Sequence, residues 1–154
     1  SVPAYNADHD PAHDSPEQVS AEVEDLRNQI SAADALLIVT PEFNAGPPGY
    51  LKNAIDWASR PHKASALAGK PAAIVSQSPM PFGGIWANQA LRKSFTITGT
   101  PTVERELAIG KADEKIEDGR LSEDQARADI TALMAELNEL VAVIADQEQE
   151  ALAA

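Results

Sequence analysis

Two loops hold the residues whose types and spacing could do chemistry. Pro41-Glu42-Phe43-Asn44-Ala45-Gly46-Pro47-Pro48-Gly49 follows the apolar run Leu36-Leu37-Ile38-Val39. Gln77-Ser78-Pro79-Met80-Pro81-Phe82-Gly83-Gly84 follows Ala72-Ala73-Ile74-Val75-Ser76. Strand, loop, helix is the order that gathers ligand-binding loops at the carboxyl ends of parallel strands. The Gly83-Gly84 pair before a helix allows a ligand to approach backbone amides. This is chemistry of binding and orientation. The plainer reading is that Asn and Gly satisfy turn geometry.

Other chemistries find less support. Asp8, His9, Asp10, His13 and Asp14 are metal-ligand types, but they fall in a loop, and a metal site needs fixed geometry and a second shell. They read as a solvated segment, so no metal is assigned. His62 is the only His beyond that loop and has no evident Ser partner, and there is no Cys. No residue is therefore assigned as catalytic, and neither a disulfide framework nor thiolate chemistry is available.

Charge is unevenly spread. The net charge is −12, which disfavours a general nucleic-acid binder. Residues 1–40 carry one base against eight acids, and residues 104–154 carry five against fourteen. Residues 41–103, which contain both loops, carry six bases against two acids. A cationic central third suits an anionic small molecule, while acidic outer helices would equally serve solubility.

The elements that must position these loops follow from periodicity. At 154 residues the chain is read as one domain, residues 1–154. Residues 1–14 have no periodic apolar pattern. Ser15-Pro16-Glu17-Gln18 is a helix start, and Val19, Val23, Leu26 and Ile30 share one face, predicting a helix near 16–32. The run at 35–40 is continuous in apolar residues, as in a strand covered on both faces. Leu51, Ala54, Ile55 and Ala58 predict the next helix, closed at Arg60-Pro61. A second strand is predicted over 72–76, then a helix from about Ile85 to Ile97 with Ala87, Leu91 and Phe95 inward and Gly99 as its stop. Thr102 to Ile109 is a third strand candidate, and residues 110–121 read as loop. Ser122 with Gln125 reads as a capping box before a long helix marked by Ala126, Ile130, Leu133, Leu137, Leu140, Val141 and Ile144, its last ten residues fraying. Alternating strands and helices predict an α/β domain with a parallel sheet. No apolar run is long enough to span a membrane.

Thr40-Pro41-Glu42-Phe43-Asn44, then Gly49, Leu51-Lys52-Asn53-Ala54-Ile55-Asp56-Trp57 and Arg60-Pro61, resembles the signature of the NADPH-dependent FMN reductase family of flavodoxin-like quinone, chromate and azo-dye reductases. Supporting matches are Val2-Pro3-Ala4-Tyr5-Asn6 with Asp8, Gly69-Lys70-Pro71, Gly83-Gly84 with Leu91-Arg92, and Gly119-Arg120-Leu121. The resemblance covers essentially the whole chain, and the stretch from Pro41 to Trp57 is specific.

It implies a flavodoxin-like doubly wound parallel sheet. It also implies that Ser1-Val2-Pro3 corresponds to the point just after the family's second strand, so the family's N-terminal strand, phosphate loop, helix and strand are expected upstream. By resemblance Pro41, Glu42, Phe43 and Asn44 contact the FMN ring, and Ser76, Ser78, Gly83 and Gly84 border its other side. Phe43 stands where the family usually has Tyr, which keeps the aromatic ring and removes the hydroxyl. Pro79-Met80-Pro81-Phe82 would shape the place where a quinone or nicotinamide stacks. The implied activity is a cytoplasmic reductase passing hydride from NADPH (or NADH) to FMN and electrons to a small-molecule acceptor. The implied assembly is a homodimer or homotetramer through the helix over 50–59, where Trp57 either packs across subunits or is core. The alternative is a non-enzymatic flavodoxin-like FMN-binding or electron-carrier module.

Overall fold

The structure, a computed structural model, describes residues 1–9 and 19–153. Strands β1 (Leu36–Pro41), β2 (Ala72–Ser78) and β3 (Leu107–Gly110) form a parallel sheet in the order β1-β2-β3. Leu36 lies opposite Ala72 and Val75 opposite Leu107. Helices α1 (Ala21–Ala32), α2 (Gly49–Ala58), α3 (Ile85–Thr98) and α4 (Asp124–Ala153) surround it.

Side chains alternate across a strand, so the two faces of β2 feed two cores. Ala72 and Ile74 pack with Ile55 and Ala58 of α2, Leu67, and Leu91 and Phe95 of α3, with Ile30 of α1 at the margin. Ala73 and Val75 pack on the opposite face with Leu107 and Ile109 of β3 and Leu133 and Leu137 of α4. The predicted inner face of α3 is borne out: Ala87, Leu91 and Phe95 are all fully buried.

The helix ends are set by local chemistry. Pro48 caps α2, its carbonyl accepting from Leu51 and Lys52, and the Ser59 hydroxyl donates to the Asp56 carbonyl at the other end. Gly99 stops α3 as expected, at φ 73°, with the Thr100 amide donating back to the Phe95 carbonyl. Within α3, buried Asn88 donates to the carbonyls of Ile74 and Leu107, each at 3.2 Å, and accepts from Arg92 Nε at 3.0 Å. One side chain thereby ties α3 to two strands of the sheet.

Six expectations are corrected. The helix predicted near 16–32 begins at Ala21, with Val19 and Ser20 outside it; the helix-start residues 15–18 fall outside the described residues. β1 is not covered on both faces: Leu37 and Val39 are 44% and 63% exposed, because α4, on their side of the sheet, packs over β2 and β3. The third strand occupies only Leu107–Gly110. Upstream, the Arg92 guanidinium takes the carbonyls of Val103 and Arg105, leaving one isolated bridge from Thr102 to Ala72. Ser122 forms no capping box, since its hydroxyl donates to the Lys115 carbonyl and Gln125 bonds Asp129. The predicted loop over 110–121 also holds structure: a short 3₁₀ turn at Ala112–Lys115 and a hairpin of β4 (Ile116–Glu117) with β5 (Arg120–Leu121). α4 stays helical to Ala153.

Trp57 belongs to the chain's own core. Its indole N–H donates to the Pro3 carbonyl at 2.9 Å, a carbonyl that also accepts from Asn53 at 2.8 Å. The Tyr5 amide donates to Asn53 Oδ1 at 2.7 Å, and the Tyr5 ring meets Trp57 edge-on with centroids 4.8 Å apart. Arg27 lies over the Trp57 ring and donates to its carbonyl. Residues 3–5 are thus strapped across α2. Among the described residues no helix is long and apolar enough to cross a membrane.

Candidate functional site

The parallel sheet brings the ends of all three strands, Pro41, Ser78 and Gly110, to one side. After β1 the chain makes a tight turn. Phe43 and Gly46 exchange both backbone hydrogen bonds, at 2.9 and 3.1 Å, around Asn44 (φ 51°) and Ala45 (φ 60°). Two successive left-handed residues define a type I′ turn. Asn tolerates that region, but Ala with its Cβ does so at a cost, so the turn holds local strain. It presents Phe43, 57% exposed, and Asn44 to solvent, while Pro41 and Glu42 are half-buried at its root.

Glu42 does not point outward unpartnered. Its Oε2 accepts from the Ala87 amide at 3.1 Å, in the first turn of α3. Gly84, at φ 75°, lies so close that a Cβ there would stand 3.1 Å from Glu42 Cβ and 3.4 Å from Ser76 Cβ. Glu42, Ser76 and Gly84 therefore meet beneath the loops. Ser76 is fully buried, and its hydroxyl has no hydrogen-bond partner among the described residues.

The second loop lies against the end of β3. A Cβ on Gly83, at φ 63°, would stand 2.6 Å from the Ala108 carbonyl carbon and 2.7 Å from the Ile109 and Gly110 amide nitrogens. Gly110 is equally confined by the Pro81 backbone. The space freed by these glycines is thus occupied by the protein's own chain. Ser78 accepts from the Met80 amide at 3.1 Å, fixing the loop's start. Its crest exposes Met80, Pro81 and Phe82, and Phe82 pairs with Trp86 of α3 at a centroid distance of 6.0 Å.

Of the eight residues singled out from the sequence, Phe43 and Asn44 reach the surface and Pro41, Glu42 and Ser78 are half-buried. Ser76, Gly83 and Gly84 are buried. Trp86 was missed. The available signal was an aromatic at the first turn of a helix, four residues after Phe82, a spacing at which the two side chains meet across the Gly-Gly pair.

The sequence profile described as NADPH-dependent FMN reductase matches residues 1–114. A quinone reductase from Pseudomonas putida is 43% identical over 110 residues, covering 71% of this chain and 59% of that protein. An NAD(P)H-dependent FMN reductase from Pseudomonas aeruginosa is 46% identical over 107 residues, covering 68% and 57%. The chain thus spans less than two thirds of the length of these curated relatives. Among solved structures, the flavoenzyme NAD(P)H:(acceptor) oxidoreductase FerB from Paracoccus denitrificans superposes with a TM-score of 0.71 at 31% identity, over 95% of this chain and 76% of that one. On the profile match and these relatives together, this chain belongs to the NADPH-dependent FMN reductase family.

Proposed function

We propose that the protein is an FMN-dependent reductase that takes hydride from NADPH or NADH and passes electrons to a quinone or another small acceptor. The observation that carries this reading is the strained I′ turn at the carboxyl end of β1, which holds exposed Phe43 and Asn44 beside the second loop. The names of the relatives, quinone reductase and NAD(P)H-dependent FMN reductase, support it.

The residues present fit the ring of FMN better than its phosphate. Phe43 offers an aromatic face and Asn44 a side-chain amide, and the exposed Met80, Phe82 and Trp86 form an apolar flank. The amino end of α3, where helix amides would suit a phosphate, is already engaged by Glu42. Bound flavin would supply the hydride chemistry itself, and the protein would supply binding, orientation and exclusion of water. Asn44 and the amides of the 43–46 turn would bond polar atoms of the ring edge. Pro41 and Ser78 would shape the loop roots, while Ser76, Gly83 and Gly84 would act from beneath by letting the loops pack. Phe82 and Trp86 would receive the planar acceptor or nicotinamide.

A homodimer or homotetramer through α2 fits the groove between α2 and α3. That groove is lined by Lys52, Asp56, Ser59, Lys93 and Ile97, and Ile97 is 80% exposed. A cytoplasmic site of action fits a donor, NAD(P)H, that is held inside the cell.

The test is to add FMN to the purified protein and follow quenching of flavin fluorescence, then NADPH consumption with a benzoquinone. Saturable quenching and quinone-dependent NADPH oxidation are expected. An electron carrier would bind FMN without oxidising NADPH. Absence of any FMN binding would overturn the proposal.

A further inference from the structure

We infer that Glu42 is a positioning residue: its carboxylate caps α3 from the other loop and so fixes where the 43–46 turn stands. This rests on the FMN reading above for its functional consequence, but not for its geometry. Gly84 is the N-cap residue of α3 and has no side chain with which to cap the helix itself. A helix start leaves amides without internal partners, and an acceptor with negative charge is favoured at that end. Glu42, 45 residues earlier in the chain, supplies it through the 3.1 Å bond to the Ala87 amide. That amide also reaches the Gly84 carbonyl at 3.1 Å, the shared pattern common at helix ends.

The surroundings are built around this strut. Any side chain at residue 84 would push on Glu42 Cβ and on the Gln77 carbonyl, both 3.1 Å from an added Cβ. The next residue after Glu42 is Phe43, which opens the I′ turn. Because the turn starts one residue from an anchored side chain, its direction is set by α3 and not by β1 alone. The carboxylate oxygen bonded here is turned inward to the helix.

Glu42→Ala and Glu42→Gln separate these roles. In the flavin-free protein, amide exchange at Ala87, Phe43 and Gly46 is expected to quicken about tenfold in Glu42→Ala, in line with loss of a helix cap. Glu42→Gln keeps an acceptor oxygen and should stay within about threefold of the unaltered protein. FMN dissociation constants should follow the same order, about tenfold weaker for Ala and little changed for Gln. Unchanged exchange at Ala87 in a folded Glu42→Ala chain would overturn the inference. So would quickened exchange with FMN affinity intact, or a Glu42→Gln chain that keeps slow exchange at Ala87 but loses FMN, which would make Glu42 a direct charged contact. If no variant and not even the unaltered protein binds FMN while exchange responds as stated, the capping strut stands and the FMN reading fails.

Discussion

Gly83→Ala is expected to cost about 2–4 kcal/mol of stability, the sum of overpacking against rigid backbone and of a left-handed φ imposed on a residue with a Cβ. The neighbours an added methyl would meet, 2.6 to 2.7 Å away, are main-chain atoms of β3 at Ala108, Ile109 and Gly110. A flexible side chain could swing aside; a strand held in register with β2 cannot. The loop must therefore lift from the sheet end, and Met80 and Phe82 move with it. Urea denaturation measures the loss. Gly119→Ala is the companion, because Gly119 has nearly the same positive φ, 73°, with nothing within 4 Å of an added Cβ. It should cost only about 1 kcal/mol, the strain alone. Equal losses in the two variants would show that crowding at Gly83 is not what makes glycine necessary there.

Trp57→Ala should be still more damaging, about 3–5 kcal/mol by the usual range for truncating a buried large aromatic. Trp57 is 1% exposed and serves three neighbours at once. It fills the space under Arg27, meets the Tyr5 ring, and holds the Pro3 carbonyl through its indole N–H. For a chain of this size the loss corresponds to a melting point lower by on the order of 10 °C. Trp57→Phe keeps most of the packing and removes the N–H, so about 1–2 kcal/mol is expected, since Asn53 still donates to Pro3. Amide exchange at Tyr5 should quicken in both variants, more in Trp57→Ala. A drop below about 1 kcal/mol for Trp57→Ala would mean that the strap over residues 3–5 contributes little to the fold.

Where local pattern and tertiary packing agree, the sequence was legible. The second strand, α2 and α3 lie within a residue or two of their predicted bounds, because apolar spacing, the Arg60-Pro61 close and the Gly99 stop agree with the packing. The third strand is shorter than its apolar pattern predicts because its upstream carbonyls are claimed by Arg92, a residue on another element. Ser122 looked like a cap by spacing, yet its hydroxyl found the Lys115 carbonyl. The β4–β5 hairpin carries a local signal in the sequence. Asp118-Gly119, with φ values of 50° and 73°, is the Asp-Gly pair that favours a type I′ turn between strands.

The loops show the same division. The residues at the two strand ends were visible as a set, since strand–loop–helix order alone collects them. What spacing does not reveal is direction. Glu42 and Asn44 are two residues apart, yet one side chain turns into the protein and the other faces solvent. Gly83 and Gly84 signalled a close approach, but whether by ligand or by the chain itself depends on where β3 ends.

The outer edge of β1 bears on how this stretch of chain behaves at concentration. Among the described residues β1 is paired on one side only, and Leu37 and Val39 lie open beside that edge. Leu36 to Thr40 is short, uncharged and rich in β-formers, the profile of a segment that templates strand pairing between molecules. The opposing force is the net charge of −12, which keeps like molecules apart. That repulsion is long-ranged in dilute buffer and shrinks to about 10 Å at 0.1 M salt, whereas edge pairing acts at contact and is not screened. For the stretch of chain described, salt, which leaves the cores untouched, therefore lowers the barrier that holds one β1 away from the next.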